Sequence, residues 1–114
     1  MKLSPTKLIA ASLLAATCGP LAAAQGNAEA GARKNSMCAG CHGIPGYKTA
    51  FPEVYSVPKI GGQHAAYIVK ALQAYKSGER SHPSMRAIAA TLSDQDMADL
   101  AAFYASGQSQ QASK

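Results

Sequence analysis

Cysteine is scarce in this chain. Of 114 residues only three are cysteines, Cys18, Cys38 and Cys41. A disulfide-rich scaffold is therefore excluded, and so is a four-cysteine metal knot. Strand patterns are missing as well. No stretch alternates apolar and polar residues for long enough to build a sheet, and no segment repeats. There is no tryptophan, and charged residues make up only 15% of the sequence. They form no basic run and no nucleic-acid recognition motif, so nucleic acid is not an expected partner. A membrane-spanning run is absent too. The longest candidate, residues 8–16 (LIAASLLAA), is about half the ~20 apolar residues that cross a bilayer.

That run has another meaning. Lys2 and Lys7 precede it, Gly19-Pro20 breaks it, and Ala22-Ala23-Ala24 offers small residues for cleavage. This order defines a secretory signal peptide over residues 1–24, cleaved after Ala24, with one domain over residues 25–114. Cleavage would remove Cys18, Lys2 and Lys7. Two cysteines remain, and the formal charge falls from +5 to about +3. A domain of this size folds around a small core, which a buried covalent group would enlarge.

The remaining sequence reads as helices joined by irregular chain. Asn27 caps a first helix over residues 28–38, with Glu29 near its positive end. Residues 42–62 hold three prolines and several glycines, and should be irregular. Their Ile44, Tyr47, Phe51, Val54, Tyr55 and Ile60 imply packing against the rest of the molecule. Residues 63–77 carry an apolar stripe at helical spacing through Tyr67, Ile68, Ala71, Leu72 and Tyr75, and Gly78 ends it. Residues 79–85 (ERSHPSM) read as a loop, followed by a short helix over residues 85–91. Ser93 and Asp96 form a capping pair for the last helix, with Leu92 and Met97 placed as a hydrophobic staple. Gly107 closes that helix, and residues 107–114 read as a polar, frayed tail. The fold class is all-α.

The chemistry lies in Cys38-Ala39-Gly40-Cys41-His42. A thioredoxin-like dithiol needs a strand before the motif, and here a helix precedes it. A zinc site needs further ligands, and His64 and His82 are not spaced as a pair. A disulfide between such close cysteines closes a tiny loop and leaves His42 unexplained. The C-x-x-C-H order is instead the signature of covalent haem attachment, and export agrees with it. Two thiols about one helical turn apart can add to the two vinyl groups on one porphyrin edge. The next residue then supplies imidazole to the iron. Met37, Met85, Met97, His64 and His82 are the candidates for the other axial position. Met37 is tied to the attachment side, Met97 lies on the core face of a helix, and His64 starts a helix. Met85 and His82 remain, in a stretch about forty residues beyond His42 that can wrap around the haem. A thioether suits ferrous iron.

These residues resemble the small class I c-type cytochromes of bacteria, in particular the monohaem cytochrome c4 and c553 type. The resemblance is carried by CAGCHG, by PKIGGQHAAYIVKALQAYKSGERSHPSM and by LSDQDMADLAAFYAS, and it covers roughly residues 26–106. It implies a fold of three to five helices around one haem c attached through Cys38 and Cys41, with His42 and Met85 as axial ligands. It makes Pro58 the carbonyl partner of the proximal histidine. Ile60, Tyr67 and Leu100 become walls of the haem pocket, and Gln63 and Arg80 partners of the propionates. Gly31 and Tyr104 match the small and aromatic residues where the first and last helices cross. The stretch between Gly43 and Pro58 is longer and more aromatic than in the shortest members.

The function implied is single-electron transfer in the periplasm between respiratory or dehydrogenase partners that dock transiently. No catalysis, small-molecule substrate or nucleic acid is expected, contact with membranes comes only through partner complexes, and the chain is expected to be a monomer. The different-class alternative is a haem gas sensor or small haem enzyme in which Met85 is a labile ligand.

Overall fold

The computed structural model describes residues 24–50 and 54–108. The signal-peptide reading lies outside the described residues except for Ala24, and so does the tail beyond Gln108. Five helices follow one another: α1 Ala28–Lys34, α2 Ser36–His42, α3 Ala65–Ser77, α4 Pro83–Ala90 and α5 Asp94–Ala105.

Local chemistry accounts for most of the boundaries. The Asn27 side chain accepts from the Ala30 amide at the start of α1. Ser93 and Asp96 make the expected capping box at the start of α5, each side chain answering the other's backbone N–H. Gly78 ends α3 in the left-handed region, at φ 90°, where a side chain would be strained.

Three expectations need correction. The helix expected over residues 28–38 is two helices separated by Asn35. Asn35 keeps near-helical angles, and its carboxamide oxygen accepts a hydrogen bond from the Tyr104 hydroxyl, so a tertiary contact sits at the break. The irregular stretch contains a small antiparallel ladder, β1 Lys48–Thr49 and β2 Tyr55–Ser56, with Thr49 opposite Tyr55. Each strand is two residues long, too short to show an alternating pattern. Residues 79–85 are not all loop. Proline at the first helical position starts α4 at Pro83, and Met85 lies inside that helix.

The core forms where α5 packs on α1 and α3, with α4 against α3. Met97 and Leu100 are sealed from solvent, and Ile68, Leu72, Phe103 and Tyr104 form one core cluster with Met97. Burying an apolar side chain of this size contributes roughly 1.5–3 kcal/mol. The α1–α5 crossing depends on Gly31. A Cβ at that position would lie 2.1 Å from the Asp99 carbonyl oxygen and 2.7 Å from the Phe103 Cβ. Only hydrogen fits there, so the two backbones touch. Phe103 therefore takes the place beside Gly31, while Tyr104 turns towards α2 and the cavity described below.

A polar knot fastens the same crossing. Asp99 is buried, and its carboxylate accepts from the Asn27 amide, the Gln95 side chain and Lys34 Nζ, the last at 2.7 Å. Lys34 also reaches Asp96 at 2.7 Å. Hydrogen bonds from Lys34, Asn27 and Gln95 lower the Asp99 pKa to about 2.

Candidate functional site

A cavity of about 420 Å³ lies beside this core and is lined mainly by apolar groups. Every expected site residue lines it: Cys38, Cys41, His42, Pro58, Ile60, Gln63, Tyr67, Arg80, Met85 and Leu100. They come from four helices and from the segments between α2 and α3 and between α3 and α4. Among the expected ligands, Cys38, Cys41 and His42 come from α2 and Met85 from α4.

Helix α2 carries the two thiols and the imidazole. Cys38 and Cys41 are free thiols and half-buried. Their three-residue separation puts them on one helix face, and His42 follows at the last helical position. Burial pushes the Cys38 thiol above its ordinary pKa, partly offset by the hydroxyl of Tyr104. Tyr104 is itself raised above the usual phenol range, chiefly by burial and next by Cys38.

The His42 ring is fixed by its neighbour in space. Nδ1 lies 2.7 Å from the Pro58 carbonyl oxygen. A carbonyl only accepts, so Nδ1 carries the proton and donates it. Nε2 is then the nitrogen with a lone pair available to a metal. Such a second contact orients a ligating imidazole and raises its basicity.

Met85 and His82 are separated by their backbone context. The His82 side chain caps α4, its Nδ1 accepting from the Met85 amide at 3.4 Å. In the neutral ring its Nε2 therefore carries the proton and offers no lone pair. The ring also meets Tyr55 edge-on, with centroids 5.1 Å apart. The Met85 thioether has no such commitment. Its side chain packs against the edge of the core and lines the cavity. Met97 is fully buried among core residues, and His64 stands exposed at the N-cap position of α3 with no capping hydrogen bond from its side chain.

The other expected residues are less uniform. Leu100 is almost fully buried and Ile60 packs against the core. Tyr67 reaches the cavity from the first turn of α3. The Gln63 side-chain oxygen accepts from the His64 amide, which occupies part of its capacity. The Arg80 guanidinium stands 4.9 Å from the centroid of the Tyr75 ring.

Sequence reasoning did not assign Tyr55, Val57, Tyr75 and Ile88 to this cavity, yet they line it. Tyr55 and Val57 belong to the aromatic-rich segment, which thereby becomes a wall of the site. The fit to a covalent haem follows from the set. Two thiols, an imidazole with a free Nε2 and an uncommitted thioether surround an apolar space.

The comparisons with known proteins agree with this geometry. The cytochrome c family profile matches residues 28–108. The chain belongs to the cytochrome c family, whose members hold haem c covalently. Within that family it is a class I, cytochrome c4-like protein. It is 39% identical over 100 residues to cytochrome c4 of Pseudomonas aeruginosa, covering 88% of this chain and 48% of the relative. It is also 39% identical to cytochrome c-554(548) of Halomonas halodenitrificans, over 71% of this chain and 96% of the relative. The crystal structure of reduced recombinant cytochrome c4 from Pseudomonas stutzeri superposes with a TM-score of 0.54 at 30% identity, over 71% of this chain and 50% of that one. The chain thus spans about half the length of the cytochrome c4 relatives.

Proposed function

We propose that the chain is a periplasmic monohaem electron carrier in which iron alternates between ferrous and ferric states. Cys38 and Cys41 would hold the porphyrin through thioethers, and His42 Nε2 and the Met85 sulfur would be the iron ligands. When bound, the haem supplies one reversible electron. With the Met85 sulfur in place the iron would be closed to other ligands, and Leu100 and Ile60 would exclude water from it. Arg80 and Gln63 would offer donors to the propionates.

The observation that carries this reading is the pairing of His42 and Met85 in one apolar cavity. His42 is oriented by Pro58, while the competing His82 is used as a helix cap. A single attachment motif supports one haem. The reading of residues 1–24 as a leader supports export. Among the described residues no helix is long and apolar enough to cross a membrane. Partners are redox proteins that dock briefly over a small surface, and the carrier acts as a monomer. One relative, from Stutzerimonas stutzeri, is named a thiosulfate dehydrogenase electron acceptor, which fits a dehydrogenase as donor.

The test is the optical spectrum of the ferric, haem-loaded protein. Sulfur bound to ferric iron gives a weak charge-transfer band in the far red. The band should be present, and Met85→Ala should abolish it. If the band is absent and the ferrous protein binds carbon monoxide readily, Met85 is not a firm ligand and a gas-binding role replaces electron transfer.

A further inference from the structure

A second hollow, of about 410 Å³, opens between the end of α3 and the start of α4. Gly78, Arg80, Ser81, His82 and Arg86 contribute to its walls, and no carboxylate does. Two guanidinium groups therefore face one space without an acidic neighbour in its lining. Among the described residues the ion pairs belong to Lys34, and neither arginine takes part in one.

Both arginines are held in place without spending their donors. The Arg80 guanidinium carbon stands over the Tyr75 ring, 4.9 Å from its centroid, a contact that uses none of its N–H donors. Arg86 folds back over Gly78, where even a Cβ would come within 3.9 Å of its two terminal nitrogens. Ser81 adds a hydroxyl. The hollow is thus rich in donors. A planar guanidinium fork matches the paired oxygens of an oxyanion better than it matches a spherical halide.

Arg80 lines this hollow and the haem cavity alike. A guanidinium has five N–H donors, enough to present one edge to each side. Charge placed in the outer hollow is therefore felt in the inner one.

We propose that this hollow binds a small tetrahedral oxyanion of the sulfate and phosphate class, and that its occupancy lowers the reduction potential of the haem in the adjoining cavity. The inference rests on the haem reading above. A bound dianion stabilises ferric iron over ferrous iron by simple Coulomb attraction. Linkage then requires the ferric protein to bind the anion more tightly than the ferrous protein does. The anion is neither oxidised nor reduced and forms no covalent bond.

The haem-loaded protein is titrated with sodium sulfate while sodium chloride holds the ionic strength constant. Midpoint potential and the backbone amide shifts of the ferrous form are followed together. The midpoint should fall and saturate. Binding about threefold tighter in the ferric form corresponds to about 28 mV, at about 59 mV per tenfold for one electron. The amides of Gly78, Ser81 and Arg86 should shift with the same saturation. Arg86→Gln should keep the far-red band and weaken sulfate binding about fivefold or more. A midpoint indifferent to sulfate, or an equal response in Arg86→Gln, overturns the proposal. If the far-red band is already missing in chloride, the haem-ligand reading fails separately. The site is then judged by the amides alone, upheld by their saturation and overturned by its absence.

Discussion

The imidazole of His42 and the carbonyl of Pro58 meet at 2.7 Å across sixteen residues of chain. The contact fixes which ring nitrogen is protonated, and a proline holds the acceptor. Pro58→Ala keeps the carbonyl but frees the backbone that positions it. The variant should lose about 0.4–1 kcal/mol of stability. Its reduction potential should rise slightly, because a weaker bond leaves the imidazole less basic and the ferric state less stabilised. Denaturant unfolding and potentiometry on the haem-loaded protein check the two effects separately.

The two methionines at stake should behave in opposite ways. Met97 is sealed in the core, so Met97→Ala should cost ~2–5 kcal/mol and leave the far-red band in place. Met85→His should remove that band, put a second imidazole nitrogen in place of the sulfur and lower the potential, since a thioether favours the ferrous state more than imidazole does. Absorption spectra of the ferric proteins and thermal unfolding distinguish them.

Gly31 tolerates no side chain. With the Asp99 carbonyl 2.1 Å from the place of a Cβ, Gly31→Val must push α1 off α5. A loss of about 3 kcal/mol or more is expected. Gly40, whose Cβ would meet nothing within 4 Å, is the control, and Gly40→Ala should leave the fold intact. Urea midpoints of the two variants provide the comparison.

The Asp99 knot predicts an acid-side dependence. Its pKa stands at about 2 in the folded protein against 3.8 for the free group. The stability it contributes is present above that higher value and is lost as pH falls from 3.8 towards about 2. Asp96, lowered further by Lys34 and Ser93, extends the loss to still lower pH. Lys34 is raised, so its share is intact below 10.5 and declines only at more alkaline pH. Asp99→Asn should reduce stability at neutral pH and flatten the decline between pH 4 and 2. Unfolding curves collected across that range test the sign.

The sequence told different things at different places. The starts of α1 and α5 and the end of α3 were legible because Asn27, Ser93 with Asp96, and Gly78 act on their immediate neighbours. The break at Asn35 was not, since neither proline nor glycine marks it and the group at the break, Tyr104, lies 69 residues away. The β1–β2 ladder is too short to announce itself. For the site, the attachment motif pointed to chemistry directly, whereas Tyr55 and Val57 entered the cavity through a fold-back that no local spacing encodes. His82 is instructive. Its position before Pro83 makes it a cap for α4, and that local duty separates it from Met85.

The long reach of the α1–α5 contact has a consequence for how the protein is made. Asn27 and Asp99 are 72 residues apart, and α5 supplies Leu100 and Tyr104 to the cavity. A chain emerges from its N-terminal end, so Cys38, Cys41 and His42 appear well before the helix that shuts them in. During that interval the motif has no finished wall around it. The order of emergence gives the motif a period of open access, and the arrival of α5 brings it to a close.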